Sequence, residues 1–483
     1  MAETLTQIAH TLPQTLWRAQ QIRKAEPELA KAHGISMYTL MERAGEAAFD
    51  CLKVQWPEAR RLLIICGVGN NGGDGYVLAR LARRAGYQVE LAQLKDSKRL
   101  TGDAAQARDL WLEAGGSIHT PAEVNWQAPE LLIDALLGTG LSGEVRPEFS
   151  DLIARINQAP QPVLSLDIPS GLDSDSGSIL GCAVKAQATI TFVGIKRGML
   201  TGQSADYVGK LYFAGLGIAS GLDAHYQPAA MRDDYQSLSC WLKPRSRYAN
   251  KGAFGRLMLI GSALGMPGAM QLAGGAALRS GAGLVRVCCA SENYLPMTSV
   301  HPELMVCCDD PAPYWSWASA LVIGPGLGQQ RWSQEMLDLA LAQDKPRVID
   351  ADGLNLLARQ GPAALEGESH ILTPHPAEAA RLLNCSVEEV EADRFAAVQK
   401  LQERYGGVVL LKGSGTLICD GQSVYLCHEG NPGMASGGMG DLLSGIIGGL
   451  LAQGLSCTHA TRLGAAIHGE AGDRAATGGS GGC

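Results

Sequence analysis

What most constrains this chain is a repeated grammar: a short apolar run, a glycine-rich turn, then a stretch at helical spacing. It begins with Arg61-Leu-Leu-Ile-Ile-Cys66, turns at Gly67 and continues as Tyr76-Val-Leu-Ala-Arg-Leu-Ala-Arg-Arg84. Gln88-Val-Glu-Leu-Ala92, Leu131-Leu-Ile-Asp134 and Val163-Leu-Ser-Leu-Asp167 follow, each an apolar run that meets an acid or a polar turn. Strands alternating with helices predict a parallel, doubly wound α/β sheet. Ligands of such sheets sit at the carboxyl ends of the strands. Glycine supplies 60 of the 483 residues, well above the usual share of ~7%. The glycines are clustered and not periodic, which excludes collagen and fits backbone that approaches a ligand closely.

Between about 215 and 245 the pattern decays into polar, Gly- and Pro-punctuated sequence, Gly215 to Pro228, and the boundary is placed at 220/221. A second series runs through Gly255-Arg-Leu-Met-Leu-Ile260, Leu321-Val-Ile-Gly-Pro-Gly-Leu-Gly328, Arg347-Val-Ile-Asp350, Ile371-Leu-Thr-Pro-His375 and Val408-Val-Leu-Leu-Lys412. The two series share no aligned motif. The expected organisation is therefore two different α/β domains, 1–220 and 221–475. Residues 476–483, Ala-Thr-Gly-Gly-Ser-Gly-Gly-Cys, read as an appended linker.

Charge and cysteine usage exclude several function classes. Forty basic and 48 acidic residues give a net charge of −8 without a block of one sign, which argues against a general nucleic-acid binder. Thirteen cysteines are scattered without a CxxC, as reduced thiols of a cytoplasmic protein would be. The longest apolar run, Leu442 to Leu455, is interrupted by glycines and falls short of the ~20 residues of a membrane span. It reads as a buried helix.

In the first domain Gly67-Val-Gly69-Asn-Asn-Gly72 matches the dinucleotide fingerprint G-x-G-x-x-G, with Glu90 near the place of an acidic ribose contact. The match is not specific, because Asn70-Asn-Gly-Gly-Asp-Gly75 overshoots it. A tight turn with Asn in left-handed conformations is the bland alternative. A nucleotide- or anion-contacting loop ranks above it, since many amides converge on one helix N-terminus. Asp134, followed by Gly138-Thr-Gly140, and Asp167-Ile-Pro-Ser170-Gly171 add two more strand ends. Either Asp alone reads best as a cap; three such loops in one sheet point to a site. Asn71, Asp134 and Ser170 offer hard oxygen ligands for an alkali or similar cation, and Asp167 suits a general base.

In the second domain Asn431-Pro-Gly-Met-Ala-Ser-Gly-Gly-Met-Gly-Asp441 opens the apolar helix, so its amides can hold phosphoryl oxygens while Asp441 moves a proton. An N-cap is the bland reading of Asp441. Lys412-Gly-Ser-Gly-Thr416 is a second phosphate-friendly loop. Two prolines fix His375, which favours a ligand-facing imidazole.

Asn70 to Gly75, Asp134-Ala-Leu-Leu-Gly-Thr-Gly140 and Asp167 to Gly171 resemble the epimerase domain of bifunctional NAD(P)H-hydrate repair enzymes. The resemblance implies substrate contacts at Asn70, Asn71, Gly72, Gly73 and Asp74. It implies more at Gly138, Thr139, Gly140, Leu141, Ser142, Gly143 and Glu144, and at Asp167. It puts a potassium ion (K+) on Asn71, Asp134 and Ser170. Lys196 falls where related sequences keep a lysine; a catalytic role and a surface lysine after a strand are equally good readings.

Gly438-Met-Gly440-Asp441 resembles the anion hole of the ribokinase-like fold. With Gly265 to Ala269, Gly324 to Gly328, Asp350-Ala-Asp352 and Thr373 to Pro376, it is similar to ADP-dependent NAD(P)H-hydrate dehydratases. This resemblance implies hydrate contacts at Ala269, Gly326, His375 and Asp441, and nucleotide contacts at Lys412, Gly413, Ser414, Gly415, Thr416 and Gly440. It implies ADP as co-substrate with Mg²⁺ and Asp441 as the catalytic base. Charge balance and the short apolar runs predict neither nucleic-acid nor membrane partners, and apolar helices around Gly281 and Gly445 are compatible with a homo-oligomer. Three other readings stay open: an NAD-dependent dehydrogenase on Gly67 to Gly72, a small-molecule kinase in the second domain, and a nucleotide-binding scaffold in the first.

Overall fold

The computed structural model describes residues 6–7, 12–94, 100–308, 310–365, 367 and 369–478. The chain forms two compact units, Met1–Met231 and Arg232–Cys483, and both are α/β. The polar stretch after residue 220 belongs to the first unit. Its helix Ala219–His225 buries Leu222 in the core that holds Ile22 and Leu29, and Ala230 and Met231 pair with Leu16 and Thr15.

The sheet of the first unit has the order Thr6–Gln7, Lys210–Ala214, Ala188–Phe192, Val163–Leu166, Leu131–Ala135, Arg61–Cys66, Gln88–Gln93. Every neighbouring pair is parallel except the one made by Thr6–Gln7. Its inner strands are buried along nearly their whole length, as helix-covered parallel strands must be. The chain passes from Arg61–Cys66 to Gln88–Gln93 on one side, then crosses to Leu131–Ala135 on the other. That reversal opens a crevice at the carboxyl ends of Arg61–Cys66 and Leu131–Ala135.

Two expectations fail here for one reason. The helix after Gly67 spans Asn70–Arg84 and does not wait for Tyr76. Neither Asn70 nor Asn71 is left-handed. The glycines that looked like loop are packing residues of the helix: a Cβ on Gly72 would lie 2.2 Å from the Gly67 carbonyl oxygen, and one on Gly75 would lie 2.8 Å from both Ala135 Cβ and Cys66 Sγ. The N-terminal segment packs on its own unit, with Trp17 and Ile22 in the core.

In the second unit the strand order is Met305–Cys308, Leu284–Cys289, Arg256–Ile260, Ala320–Ile323, Arg347–Ile349, His370–Leu372, Val408–Leu411, Thr416–Cys419, Val424–Cys427. Pairing is parallel as far as Val408–Leu411 and antiparallel thereafter. The order again reverses once, between Arg256–Ile260 and Ala320–Ile323. The apolar run forms the helix Met439–Ala452, packed on Pro267–Arg279 so tightly that a Cβ on Gly445 would lie 2.1 Å from the Ala273 carbonyl oxygen. Gly445 therefore serves packing within the unit.

The last helix, Cys457–Gly478, includes Ala476 to Gly478 of the expected linker; residues 479–483 lie outside the described residues. The described cysteines are free thiols, and no described helix is long and apolar enough to cross a membrane.

Two candidate active sites

In the first unit a cavity of about 640 Å³ opens at the strand reversal. Asn70, Asn71, Asp74, Gly138, Thr139, Gly140, Leu141, Ser142, Glu144, Asp167 and Lys196 all line it, so most residues selected from sequence converge. Gly72, Gly73 and Gly143 are not among its lining residues. Gly73 sits inside the helix, where a Cβ would strike the Met41 side chain at 2.6 Å. Glu90 does not reach the site. It is the third residue of its strand and accepts a hydrogen bond from the Asn125 N–H at 3.3 Å, so the fingerprint lacks its acidic ribose contact.

Asp134 lies fully buried and accepts from Ser170 Oγ (2.6 Å), Ser165 Oγ (2.8 Å), Ser170 N (2.9 Å) and Leu136 N (3.2 Å). Burial raises its pKa, and those hydrogen bonds oppose the rise. Asn71 donates through Nδ2 to the Leu137 carbonyl at 3.2 Å, while its buried Oδ1 has no partner. An orphaned buried oxygen is costly. A cation is the kind of partner that this acceptor oxygen suits.

Asp167 has φ of 63° and leaves the end of Val163–Leu166 in the left-handed region, a strained state for a non-glycine residue. Its carboxylate accepts from the Lys196 ammonium and from the Phe192 N–H (3.3 Å). The Lys196 ammonium also donates to Thr191 Oγ1 (2.9 Å) and the Phe192 carbonyl (3.1 Å), and its side chain is 2% exposed. This is a caged cation and not a surface lysine. Burial, then Asp167 and Glu26, hold the Asp74 carboxyl well above the usual range.

Sequence reading did not select Glu26, on the helix Ala19–Ala32. Burial pushes its pKa up to about 7. The available signal was its spacing, since Ala19, Ile22, Arg23 and Glu26 form one helical face, and that face lines the cavity.

The second unit also joins a strand-end aspartate to a lysine. Asp350 is 1% exposed and accepts from Lys412 Nζ (2.8 Å) and Ser444 Oγ (2.7 Å). Glu378 Oε2 lies 3.9 Å from the same ammonium and is pushed up to about 7, chiefly by burial. Asp350 and Glu378 raise the Lys412 pKa against its burial. Asp441 sits in the first turn of Met439–Ala452, and burial followed by the Asp350 charge raises it to about 6. Gly438 caps that helix at φ of 93°, and a Cβ on Gly440 would lie 3.3 Å from Lys412 Nζ. A lysine under a helix N-terminus makes an anion site.

Around this centre, His375 caps Pro376–Leu383, with Nδ1 accepting from the Ala377 N–H at 3.1 Å. Burial and then Lys412 hold its pKa below the usual value, which keeps a neutral imidazole facing outward. Gly326 and Ala269 adjoin, since a Cβ on Gly326 would lie 3.0 Å from Ala269 Cβ. In the loop from Lys412, Gly413 and Gly415 take φ of 139° and 60°, and Thr416 Oγ1 donates to the Gly413 carbonyl at 3.0 Å. Sequence reading quoted Asp350 without a role and missed His468, whose buried Nε2 has no partner and whose pKa is pushed down to about 4 by burial and then Lys412.

A family profile described as NAD(P)H-hydrate dehydratase matches residues 257–480, and one described as YjeF-related protein N-terminus matches residues 37–198. The chain is 47% identical to the bifunctional NAD(P)H-hydrate repair enzyme Nnr of Escherichia coli K12 over 96% of its own length and 90% of the relative's. It is 47% identical to the enzyme of the same name from Coxiella burnetii, covering 95% of each. Among solved structures it is similar to an ADP/ATP-dependent NAD(P)H-hydrate dehydratase from Bacillus subtilis co-crystallized with ATP/Mg2+. The identity is 30% over 51% of this chain and 90% of that one, with a TM-score of 0.47.

Proposed function

This chain belongs to the family of bifunctional NAD(P)H-hydrate repair enzymes, and from that premise we propose how its two units divide the work. The substrate is a reduced nicotinamide ring that has added water across C5 and C6, leaving a hydroxyl at C6 as R and S epimers. The first unit interconverts the epimers, and the second dehydrates the S epimer at the expense of a nucleotide.

In the second unit Asp441 takes the proton of the C6 hydroxyl, whose oxygen attacks the β-phosphorus of ADP and displaces AMP. Phosphate then leaves C6 as a proton leaves C5, and the C5=C6 bond returns. The sum is hydrate plus ADP giving NAD(P)H, AMP and phosphate. Lys412 and the amides around Gly440 offset charge on the moving phosphoryl group. Ala269, Gly326 and His375 contact the hydrate, and Gly413 to Thr416 the nucleotide. The observation that carries this reading is Asp441, a part-buried carboxyl raised only to about 6 and so ionised at pH 7, beside a lysine at a helix N-terminus. Mg²⁺ supplies charge neutralisation on the nucleotide's phosphates. Among the described residues no three His, Cys, Asp or Glu side chains group as a metal site, and no step here passes through the ion.

In the first unit Asp167, held by Lys196, handles proton transfer as the C6 hydroxyl leaves and returns. K+ suits the orphaned Asn71 Oδ1, with Ser170 and Asp134 beside it. Its role would be structural, fixing the start of the helix that carries Asn71 against the loop that carries Gly138. The scattered cysteines without a CxxC support a cytoplasmic setting. The test is recovery of reduced-nicotinamide absorbance from a mixed-epimer hydrate. Recovery that needs no nucleotide would overturn the assignment of the second unit.

A further inference from the structure

Inversion at C6 is a two-sided proton problem. The hydroxyl leaves as water only if an acid protonates it, and water returns to the other face of the planar iminium only if a base accepts its proton. One carboxylate pinned by a lysine answers half of that demand. The cavity holds more: Glu26 and Asp74 line it together with Asp167 and Lys196.

Glu26 comes from an element outside the matched segment 37–198, yet that element is built into the site. The strand Thr15–Trp17 pairs with Ile195–Lys196, setting Trp17 beside Lys196. The Ala19 N–H donates to Asp175 Oδ1 at 2.9 Å, and Arg23 Nη2 donates to the Thr139 carbonyl at 3.0 Å. The helix is thus tied to the lysine on one side and to the Gly138-Thr-Gly140 loop on the other. Along it, Ala25 and Leu29 turn into the core, Arg23 and Glu26 line the cavity, and Ile22 borders both.

We propose that Glu26 is the second proton-transfer group of the first site, the partner of Asp167 in the inversion at C6; this rests on the epimerase reading above. Glu26 as the neutral acid donates a proton to the departing hydroxyl, which leaves as water. The C6–O electron pair goes with the oxygen, and the ring nitrogen shares the resulting positive charge. A water then adds to the opposite face and gives its proton to Asp167. In the reverse direction the two carboxyls exchange roles, so no redox partner is needed. Glu26 feels Lys196, Asp167, Asp74 and Arg23, and burial holds it at a pKa of about 7, where both protonation states are populated near neutrality.

The test follows one purified hydrate epimer in ¹⁸O-water without nucleotide, measuring appearance of the other epimer and label entry at C6. Glu26→Gln should lose both rates together by about 10²-fold or more with KM within about twofold, while nucleotide-dependent dehydration by the same chain is unchanged. Glu26→Asp should recover part of the rate. In the unaltered chain epimerisation should fall as pH rises through about 7, a limb absent from the residual rate of Glu26→Gln. A Glu26→Gln rate within about threefold of the parent overturns the inference. So does a missing limb in the unaltered chain, which settles the matter even if the variant fails to fold. An unaltered chain that does not epimerise at all defeats the epimerase reading instead.

Discussion

Both units end a central strand in an aspartate held by a lysine, Asp167 with Lys196 and Asp350 with Lys412, yet the two pairs differ in how far they are closed off. The Asp167 side chain is 18% exposed and borders a cavity, whereas Asp350 is 1% exposed and is satisfied from both sides by Lys412 and Ser444. An exposed edge leaves Asp167 able to meet a substrate. In the proposed reading the engaged Asp350 anchors Lys412 under the helix N-terminus, and Asp441 carries the chemistry. On that reading, identical residue types at comparable strand ends need not share a role, and residual exposure is what separates a reacting group from its support.

The sharpest way to break this comparison is to remove, within the second unit, first the carboxyl given the chemistry and then its buried support. Asp441→Asn should cost dehydration about 10²- to 10⁴-fold, the worth of a general base, while epimerisation and nucleotide binding persist. Retained turnover would move the base elsewhere. Asp350→Asn should act differently, by breaking a buried pair and leaving the Lys412 ammonium only the more distant Glu378 at 3.9 Å. The expected loss is about 3–5 kcal/mol of the second unit's stability, read by denaturant unfolding, and a fully stable variant would remove the anchoring role.

Potassium sharpens the other half. Replacing K+ by a large organic cation should slow epimerisation by about tenfold, the scale of ~1.4 kcal/mol, without touching dehydration. In Asn71→Ala that sensitivity should vanish. The smallest effect is a pH effect. Asp441 has a folded pKa near 6, above its ordinary value, so dehydration should rise with pH through about 6 as the base ionises. A group with a raised folded pKa favours folding at low pH and loses that contribution as pH climbs through its folded pKa. Asp441→Asn should therefore raise the unfolding temperature of the second unit more at pH 8 than at pH 5.

Motif residues were legible in the sequence because their chemistry is local. Asn71, Asp134, Asp167 and Asp441 sit at strand ends or helix starts that the sequence spacing announces. Glu26, Glu378 and His468 were not legible as site residues, because each gains its meaning from a charge brought close by the fold. Glu26 faces Lys196, 170 positions away in the chain, while Glu378 and His468 face Lys412. The glycines misled in a specific way. Gly72 and Gly75 read as loop, yet they are required where the helix Asn70–Arg84 lies against Gly67 and Ala135. The fingerprint misled as well, since Glu90 lies mid-strand and bonds to Asn125.

The central claim is that one open and one closed carboxylate–lysine pair serve two successive reactions. It is tested most directly by the recovery of reduced-nicotinamide absorbance from a mixed-epimer hydrate with ADP, Mg²⁺ and K+, run on the unaltered chain, Asp167→Ala and Asp441→Asn. The account predicts complete recovery for the first, recovery that stops at the share of the S epimer for the second, and background recovery for the third. Full recovery by Asp167→Ala at the parent rate would contradict it.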